Sequence, residues 1–266
     1  FTLTNYAFGK HILHMEKLFA LAFHHPVDRD PGPAADHGGD VLGGHFLAQQ
    51  GVLRAALCFG QLPFEIGDAA IGQLARATEV AAPLRLLDYC LINDGGVAII
   101  VRRADMARDL KQKPVYISGM GWAEENVDAT QLRPRLKDFY HTAHHGVAAQ
   151  VYPMAGVTPK DVDVFATYDS FSVHLLASLE GFGFCKEGEG GAWIQNGRIE
   201  IGGELPCNTS GGMLSESYMQ SWNHQPELIR QLRGGLGERQ VKGAEVGQYV
   251  HDVAGKCKSL IYTRGN

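Results

Sequence analysis

Long apolar runs and long runs of basic residues are both missing from this 266-residue chain. Its longest apolar stretch, residues 18–23, is far shorter than the roughly 20 residues that a membrane-spanning helix needs. The formal net charge is −5, whereas proteins whose main function is nucleic-acid binding carry clustered Lys and Arg. These absences predict a protein that neither spans a membrane nor binds nucleic acid, and they favour a small molecule as its partner.

Cysteine spacing of the disulfide type is also missing. The five cysteines are widely spaced, odd in number and include no Cys-x-x-Cys pair. Disulfide scaffolds are typical of small secreted domains, and a chain of this length has room for a hydrophobic core instead. We therefore expect reduced thiols and a cytoplasmic location.

Short apolar runs alternate with segments of helical composition along the chain. With 45% hydrophobic and 20% charged residues, the composition is that of an ordinary globular protein. The sequence predicts strands at 52–59, 97–101, 115–120, 162–166, 245–250 and 259–262. It predicts helices at 68–78, 104–112, 135–151, 171–179 and 215–232. This alternation indicates an α/β fold with a largely buried sheet, in which the β-branched run 97–101 forms a central strand.

Several separated stretches share their order and spacing with one known family. The stretches are 83–96, 156–164, 168–172, 187–191 and 208–218. Over roughly residues 80–266 they resemble the C-terminal half of the thiolase superfamily, in its sterol-carrier-protein-type branch. The resemblance implies an α/β fold with the layered αβαβα architecture of thiolases. It also implies a shortened N-terminal thiolase-like half at 1–79 and a C-terminal half at 80–266 that carries the site.

The two cysteines of thiolases have no counterpart in the chain. A thiolase needs a nucleophilic Cys at a helix N-terminus, where the helix dipole favours the thiolate. By the resemblance, that position falls near Ala34, and no Cys lies there. The second thiolase cysteine stands in a Cys-x-Gly-Gly turn, whereas Cys257 is followed by Lys258 and Ser259. Covalent acyl transfer is therefore disfavoured.

Two tyrosines stand where the family keeps other catalytic residues. Tyr218 takes the place of the histidine in the Asn-x-x-Gly-Gly-x-x-x-x-Gly-His stretch of thiolases, and Tyr168 takes that of a His or Asn. This pair resembles the thiolase-like aldolases of steroid side-chain degradation. The resemblance implies retro-aldol cleavage of a β-hydroxyacyl-CoA to propionyl-CoA and a ring ketone, with no cofactor besides the CoA of the substrate. It also implies a homodimer core that works with a small partner carrying an OB fold and a zinc ribbon.

Retro-aldol cleavage requires a base for the hydroxyl proton, stabilisation of the enolate and an acid for its α-carbon. We assign Tyr218 as the base and Tyr168 as the acid or proton relay, with the reverse order left open. Because an isolated phenol has a pKa of about 10, we expect the phenols to share a hydrogen bond or to lie near a cation or a helix N-terminus. Glycines let backbone N–H groups approach an enolate oxygen closely. Four residues are candidates for positioning the substrate: Asp169, Asn208, Gly211 and Gly212.

Two other functions and a structural interpretation stay open. One alternative is a catalytically silent thiolase-like subunit that scaffolds a partner. Another is an acyl-CoA acyltransferase that uses Cys90 or Cys207 as its nucleophile. In structural terms alone, Tyr168 and Tyr218 are core or interface residues, and the run 208–212 is a turn before a helix cap.

Three histidines share a face of a predicted helix. His141, His144 and His145 have the spacing that a metal site can use. No third acidic or Cys ligand is evident nearby in the sequence. A solvated helix face is therefore favoured, and no metal is predicted.

Overall fold

A computed structural model describes residues 2–5, 79–81, 83–90, 92–107, 109–124, 140–253 and 255–265 of the chain. The predicted strand 52–59, the predicted helix 68–78 and the position near Ala34 lie outside these residues. The longest described stretch, residues 140–253, contains both tyrosines of the predicted site.

Eight strands are described, and six of them form one mixed sheet. Their bounds are β1 Thr2–Asn5, β2 Glu79–Ala81, β3 Leu84–Arg85, β4 Ile99–Arg102, β5 Val115–Glu124, β6 Val164–Thr167, β7 Val246–Val253 and β8 Lys256–Arg264. The strand order in the sheet is β4-β1-β5-β8-β7-β6, and β2 pairs with β3 separately. Strands β6 and β7 are parallel, whereas β8 is antiparallel to both β7 and β5. The connection from β6 to the parallel β7 is long, as parallel neighbours require, and it contains several helices.

The α-helices of the described residues are α1 His141–Ala155, α2 Ser172–Gly181, α3 Gly190–Trp193, α4 Gly212–Ser215 and α5 His224–Arg233. Short 3-10 helices occupy Leu86–Asp88, Ala104–Met106, Pro159–Asp161 and Gly237–Arg239. Helix α5 ends at Gly234, whose φ of 75° lies in the left-handed region that favours glycine. None of the helices in this part of the chain combines the length and apolar character that a bilayer crossing requires.

The two faces of the sheet belong to two hydrophobic clusters. On β6, Phe165 packs in the cluster of α1 and α2, whereas its neighbours Val164 and Ala166 pack in the cluster of α5. The same alternation separates Ile261 from Tyr262 on β8. Because successive side chains of a strand point to opposite faces, α1 and α2 cover one face and α5 covers the other. The described unit is therefore the layered α/β structure that the sequence predicts.

The sequence predicts best the elements that contribute to the hydrophobic clusters. Four strands and two helices are confirmed with shifted ends, namely those predicted at 115–120, 162–166, 245–250, 259–262, 135–151 and 171–179. Each contributes buried hydrophobic residues to one or both of the two clusters. Burial imposes the apolar pattern that sequence analysis detects.

Among the residues that the structure describes, the run 97–101 forms a strand but not the predicted central one. Strand β4 lies at an edge of the described sheet, and its Ile100 and Val101 are about half exposed. β-Branched residues favour extended backbone wherever a strand lies. Such a run therefore predicts a strand but not the position of the strand in the sheet.

The predicted helix at 104–112 is also wrong. Only Ala104–Met106 is helical, and it forms a 3-10 turn. Among the described residues of this stretch, only Ala107 is buried. A short helix without a buried apolar face is marginal in water, so the turn does not extend.

The long helix predicted at 215–232 is broken. Helix α4 ends at Ser215 and α5 begins at His224, with a loop between them. In this loop Gln220 and Ser221 have φ angles of 51° and 60°, which a right-handed helix excludes. Tyr218 therefore lies on a loop instead of a helix.

Two glycines of β5 allow α1 to lie directly on the sheet. A Cβ at Gly119 would lie 2.4 Å from the carbonyl oxygen of Val151. A Cβ at Gly121 would lie 3.0 Å from the carbonyl oxygen of Val147. The short distance between α1 and β5 therefore requires glycine, which has no side chain, at these two positions.

We expect Gly119→Ala to lower the free energy of unfolding by about 1–3 kcal/mol, because the added methyl group overpacks the contact between β5 and α1. Urea unfolding followed by circular dichroism measures the change. Gly235→Ala is the control, since a Cβ there meets no atom within 4 Å. The control should stay within about 0.5 kcal/mol of the wild type, and equal losses in both variants would contradict the close contact.

Candidate active site

The two predicted tyrosines meet at one place in the structure. Tyr168 directly follows β6 and is buried, whereas Tyr218 lies on the α4–α5 loop and is partly exposed. Their hydroxyl oxygens are 3.1 Å apart, within hydrogen-bonding distance, although 50 positions separate them in the chain. Their ring centroids are 6.5 Å apart, with an angle of 69° between the planes. Tyr168 is thus fixed at the end of β6, and its hydrogen-bond partner Tyr218 is partly exposed to solvent.

The surroundings give the two phenols different properties. Burial raises the pKa of Tyr168 well above its ordinary value, and its hydrogen bond with Tyr218 adds to the rise. Tyr168 therefore stays protonated at neutral pH and can donate its hydrogen. Gln220 Nε2 donates a hydrogen bond of 2.6 Å to the Tyr218 oxygen. Since the Tyr218 oxygen can accept from both neighbours, negative charge is better stabilised on Tyr218 than on Tyr168.

Asn208 fixes the backbone that precedes Tyr168. Its Oδ1 accepts from the Thr167 N–H at 2.8 Å, and its Nδ2 donates to the Thr167 carbonyl at 3.0 Å. The side chain is 1% exposed, and both of its polar atoms are engaged in this pair of bonds. Asn208 was predicted to position the substrate. In the structure Asn208 fixes the backbone next to Tyr168, and its substrate-positioning role stays a prediction.

Asp169, Gly211 and Gly212 together support the start of α4. Asp169 is fully buried, and its Oδ1 accepts from the Met213 N–H at 2.9 Å and lies 3.1 Å from His224 Nε2. A Cβ at Gly212 would lie 2.0 Å from Asp169 Oδ2, so only glycine fits there. The N–H of Gly211 donates to the Asn208 carbonyl at 2.8 Å.

The substrate-positioning roles of Asp169, Gly211 and Gly212 stay predictions, and the structure shows what these residues contact within the protein. Asp169 Oδ1 accepts within the protein from the Met213 N–H, and the Gly211 N–H already has an acceptor. The Gly212 N–H points to Ser210 Oγ at a longer 3.4 Å. These residues therefore hold the α4 turn in place, and the turn leads to the loop that carries Tyr218.

The segment that ends in Asn93-Asp94-Gly95-Gly96 lies against the tyrosine loops. Asn93 Oδ1 accepts from the Tyr218 N–H at 2.7 Å. Earlier in the segment, Asp88 Oδ1 accepts from Ser172 Oγ at 2.8 Å, and the Cys90 N–H donates to the Ser170 carbonyl at 3.0 Å. The segment thus forms hydrogen bonds both with the loop that carries Tyr218 and with residues that follow Tyr168.

Buried charge lies behind Tyr168. Asp252 Oδ2 is 2.7 Å from His144 Nε2, and Asp252 Oδ1 is 3.6 Å from His174 Nδ1. The ring of His174 is 5.4 Å from that of Tyr168. Although burial alone raises the pKa of Asp252, its hydrogen bond with His144 and the nearby His174 ring hold this pKa far below its ordinary value.

This cluster also corrects the prediction for the three histidines of α1. His144 is fully buried, so the helix face is not solvated as a whole. His141 and His145 lie nearer the surface and pair with Glu187 at 4.0 Å and 3.6 Å. Within the described residues no group of three or more ligands could hold a metal ion.

Comparison with known proteins places this site in a family. The model of the family described as "Thiolase C-terminal domain-like" matches residues 125–262, which is half of the chain. The chain belongs to this thiolase family. The predicted thiolase-like α/β fold is therefore confirmed.

Similar proteins include a lyase, a transferase and an aldolase. The "17-hydroxy-3-oxo-4-pregnene-20-carboxyl-CoA lyase" of Mycobacterium tuberculosis is 42% identical over 158 residues, covering 58% of this chain and 40% of that protein. The "Acetyl-CoA acetyltransferase" of Methanothermobacter thermautotrophicus is 35% identical over 198 residues, covering 73% and 50%. The solved "Ltp2-ChsH2(DUF35) aldolase" matches with a TM-score of 0.70 at 28% identity, covering 83% of this chain and 58% of that one. The thiolase-like chain thus spans about half the length of these curated relatives.

The described cysteines are poorly suited to thiolase chemistry. Burial, together with the charge of Asp169, raises the pKa of the partly exposed Cys90 thiol. Cys207 is buried, and its sulfur lies 3.2 Å from the Leu205 carbonyl. A reactive cysteine is accessible and has a lowered pKa. Neither thiol therefore supports the acyltransferase alternative.

Sequence analysis missed three residues of this thiolase-like site. Asn93 lies within a stretch that was noted only for its resemblance, and its contact with Tyr218 is long-range. Gln220 follows Tyr218 by two positions and gives no signal of its own. His251 lies one residue beyond the strand predicted at 245–250, and its ring is 4.9 Å from that of Tyr168. Burial lowers the pKa of His251, so its ring is neutral at pH 7.

We expect Gly212→Ala to cost more stability than Gly234→Ala. Both glycines have a positive φ, 65° and 75°, so both variants lose about 1–2 kcal/mol for the left-handed backbone. Only the Cβ at residue 212 also meets Asp169, which adds about 1–3 kcal/mol. Urea unfolding of the two variants gives the difference, and equal losses would contradict the support that Asp169 gives to α4.

We expect Asp252→Asn to reduce the loss of stability in acid. The folded-state pKa of Asp252 is lowered, so its ionised form stabilises the fold above the unfolded pKa of about 4, and this contribution is lost as the pH falls. Urea unfolding between roughly pH 7 and pH 3 should give a steeper acid limb for the wild type than for the variant. Parallel limbs would show that Asp252 is not held ionised by the histidines.

Proposed function

We propose that the chain carries the active site of a carbon–carbon lyase that cleaves a β-hydroxyacyl-CoA by a retro-aldol reaction. The observation that carries this proposal is the 3.1 Å contact between the hydroxyls of Tyr168 and Tyr218. The names of the lyase and aldolase relatives point to the same reaction class. The acetyltransferase relative points elsewhere, but neither Cys90 nor Cys207 is placed as a nucleophile.

The reaction needs two proton transfers, and the tyrosines divide them. Tyr218, whose oxygen accepts hydrogen bonds from two donors, takes the proton of the β-hydroxyl as the C–C bond breaks. The bonding electrons pass into the thioester and form its enolate. Tyr168, kept protonated by burial, delivers its proton to the α-carbon. A proton transfer from Tyr218 to Tyr168 across their hydrogen bond restores both groups for the next turnover.

The proposed substrate is a steroid side-chain thioester. The name of the Mycobacterium tuberculosis relative combines a 17-hydroxyl with a 20-carboxyl-CoA on a pregnene skeleton. In such a compound the hydroxyl-bearing carbon belongs to the ring, so cleavage yields propionyl-CoA and a ring ketone. The thioester is the electron sink in this scheme, and no cofactor takes part besides the CoA portion of the substrate.

We also propose a protein partner for the chain. The name of the similar solved aldolase pairs Ltp2 with ChsH2(DUF35). A small accessory protein with an OB fold and a zinc ribbon, bound to a homodimer of this chain, fits such a pairing. We propose the cytoplasm as the location of the chain, where the described cysteines Cys90, Cys185, Cys207 and Cys257 would stay free thiols.

We expect Tyr168→Phe and Tyr218→Phe each to lower kcat by about 10²–10⁴-fold, the range for loss of a general acid or base. The assay is the release of propionyl-CoA by the complete protein with its accessory partner. Tyr116→Phe is the matched control, because Tyr116 lies near the opposite end of the sheet, where β5 pairs with Thr263 of β8. The control should stay within about twofold of the wild type.

Near-normal rates in both tyrosine variants would defeat the proposed mechanism. A wild-type complex that binds the thioester without releasing propionyl-CoA would instead favour the silent scaffold. Transfer of the acyl group to a second CoA without formation of a ketone would favour the acyltransferase.

A further inference from the structure

The loop between α4 and α5 contains two neighbouring residues in an unfavourable backbone conformation. Gln220 and Ser221 have φ angles of 51° and 60°. The other non-glycine residues with positive φ in the described chain are Asn196 and Asn208, and asparagine tolerates this region better. Strained residues persist only where the surrounding structure fixes them, and they cluster at functional sites. The contacts that hold Gln220 and Ser221 in this conformation are therefore relevant to the function of the site.

Ser221 ties the loop to the sheet. It is fully buried, and its Oγ lies 2.6 Å from the Gln220 carbonyl, 2.8 Å from the Tyr249 hydroxyl and 2.8 Å from His251 Nδ1. A hydroxyl has one hydrogen and two acceptor positions, so donation to the Gln220 carbonyl leaves Tyr249 and His251 as its donors. Tyr249 and His251 are two positions apart on β7 and point to the same face. The loop backbone is therefore fixed by a rigid strand.

The fixed backbone brings the Gln220 side chain to the catalytic tyrosine. Gln220 is exposed, and a free glutamine on a surface loop would sample many rotamers. Here its Nε2 lies 2.6 Å from the Tyr218 oxygen. The same oxygen is 3.1 Å from the Tyr168 hydroxyl. Tyr218 is thus held between a neutral amide donor and a buried phenol donor.

We infer that Gln220 is a positioning residue that holds the Tyr218 oxygen against Tyr168 and stabilises the negative charge which that oxygen carries as a base. The inference deepens the proposed function and rests on it for the role of Tyr218. The hydrogen bonds of Ser221 with Tyr249 and His251 set the position of Gln220. Gln220 takes no proton itself, because an amide does not titrate in this range.

The titratable groups around Gln220 and Tyr218 determine how a change in pH dependence is interpreted. Tyr168 faces the Tyr218 oxygen from the end of β6, and the neutral His251 ring of β7 packs on Tyr168. The Cys90 thiol also interacts with Tyr168 from the segment that precedes β4. None of these groups is altered by a substitution at Gln220, so a change in pH dependence reports on the amide.

The test compares Gln220→Leu with Gln220→Glu. If the amide stabilises charge, Leu should lower kcat by about tenfold to a hundredfold, the loss of one hydrogen bond to a charged group. Glu has the shape of glutamine but brings a negative charge next to the Tyr218 oxygen, so it should be worse than Leu at neutral pH. The rising limb of the kcat profile should move to higher pH in both variants, while KM changes little. A purely structural role predicts the opposite order, because Glu preserves the shape of the side chain.

A second measurement does not depend on the reaction. NMR of tyrosine that is isotope-labelled at Cζ follows the ionisation of each phenol, and Tyr218→Phe identifies the resonance of Tyr218. Gln220→Leu should shift the titration of this resonance to higher pH. Gln150→Leu is the matched control, since this exposed glutamine of α1 bonds to the carbonyls of Gly146 and Trp122. The control should leave both kcat and the Tyr218 resonance unchanged.

Two outcomes would overturn the inference: Gln220→Glu more active than Gln220→Leu at neutral pH, or a Tyr218 titration that Gln220→Leu does not move. A shifted titration in a wild-type protein without lyase activity would support the placement of Gln220 and sink the proposed function. The two failures are therefore distinguishable.

Discussion

The hydrogen bond between the hydroxyls of Tyr168 and Tyr218 is the interaction on which the site depends. It joins the end of a buried strand to a partly exposed loop, and the two phenols differ in burial for that reason. A buried phenol holds its proton, while an oxygen at the edge of the site can accept two donors. In the proposed mechanism, this difference between the two environments makes one phenol the acid and the other the base.

Buried polar contacts hold this bond in place. The Asn208 amide fixes the backbone before Tyr168, and Asp169 fixes the turn that leads to Tyr218. Satisfied polar contacts inside a protein specify one arrangement, because each unsatisfied partner would be costly. Asn208 and Asp169 therefore support the two tyrosines. The Tyr218 loop is also held by Asn93, which accepts from the Tyr218 N–H, and by Gln220, which donates to the Tyr218 oxygen.

Some features could be predicted from the sequence because they leave a local pattern. Strands β6 to β8 and helices α1 and α2 were found because burial in the two hydrophobic clusters gives these segments their apolar residues. The tyrosine pair was found through the resemblance of its two flanking stretches to thiolases. The break in the helix predicted at 215–232 was not found, because the φ angles of Gln220 and Ser221 depend on contacts with β7. The edge position of β4 and the burial of His144 depend on tertiary packing in the same way.

The central claim is that the two phenols move protons during cleavage of a β-hydroxyacyl thioester. Cleavage in deuterated water, followed by mass spectrometry of the acyl-CoA product, tests it most directly. Because phenolic hydrogens exchange with solvent, the account predicts propionyl-CoA with a single deuterium on its α-carbon, formed together with a ring ketone. Propionyl-CoA without deuterium, or an acyl group transferred to another CoA with no ketone formed, would contradict the account.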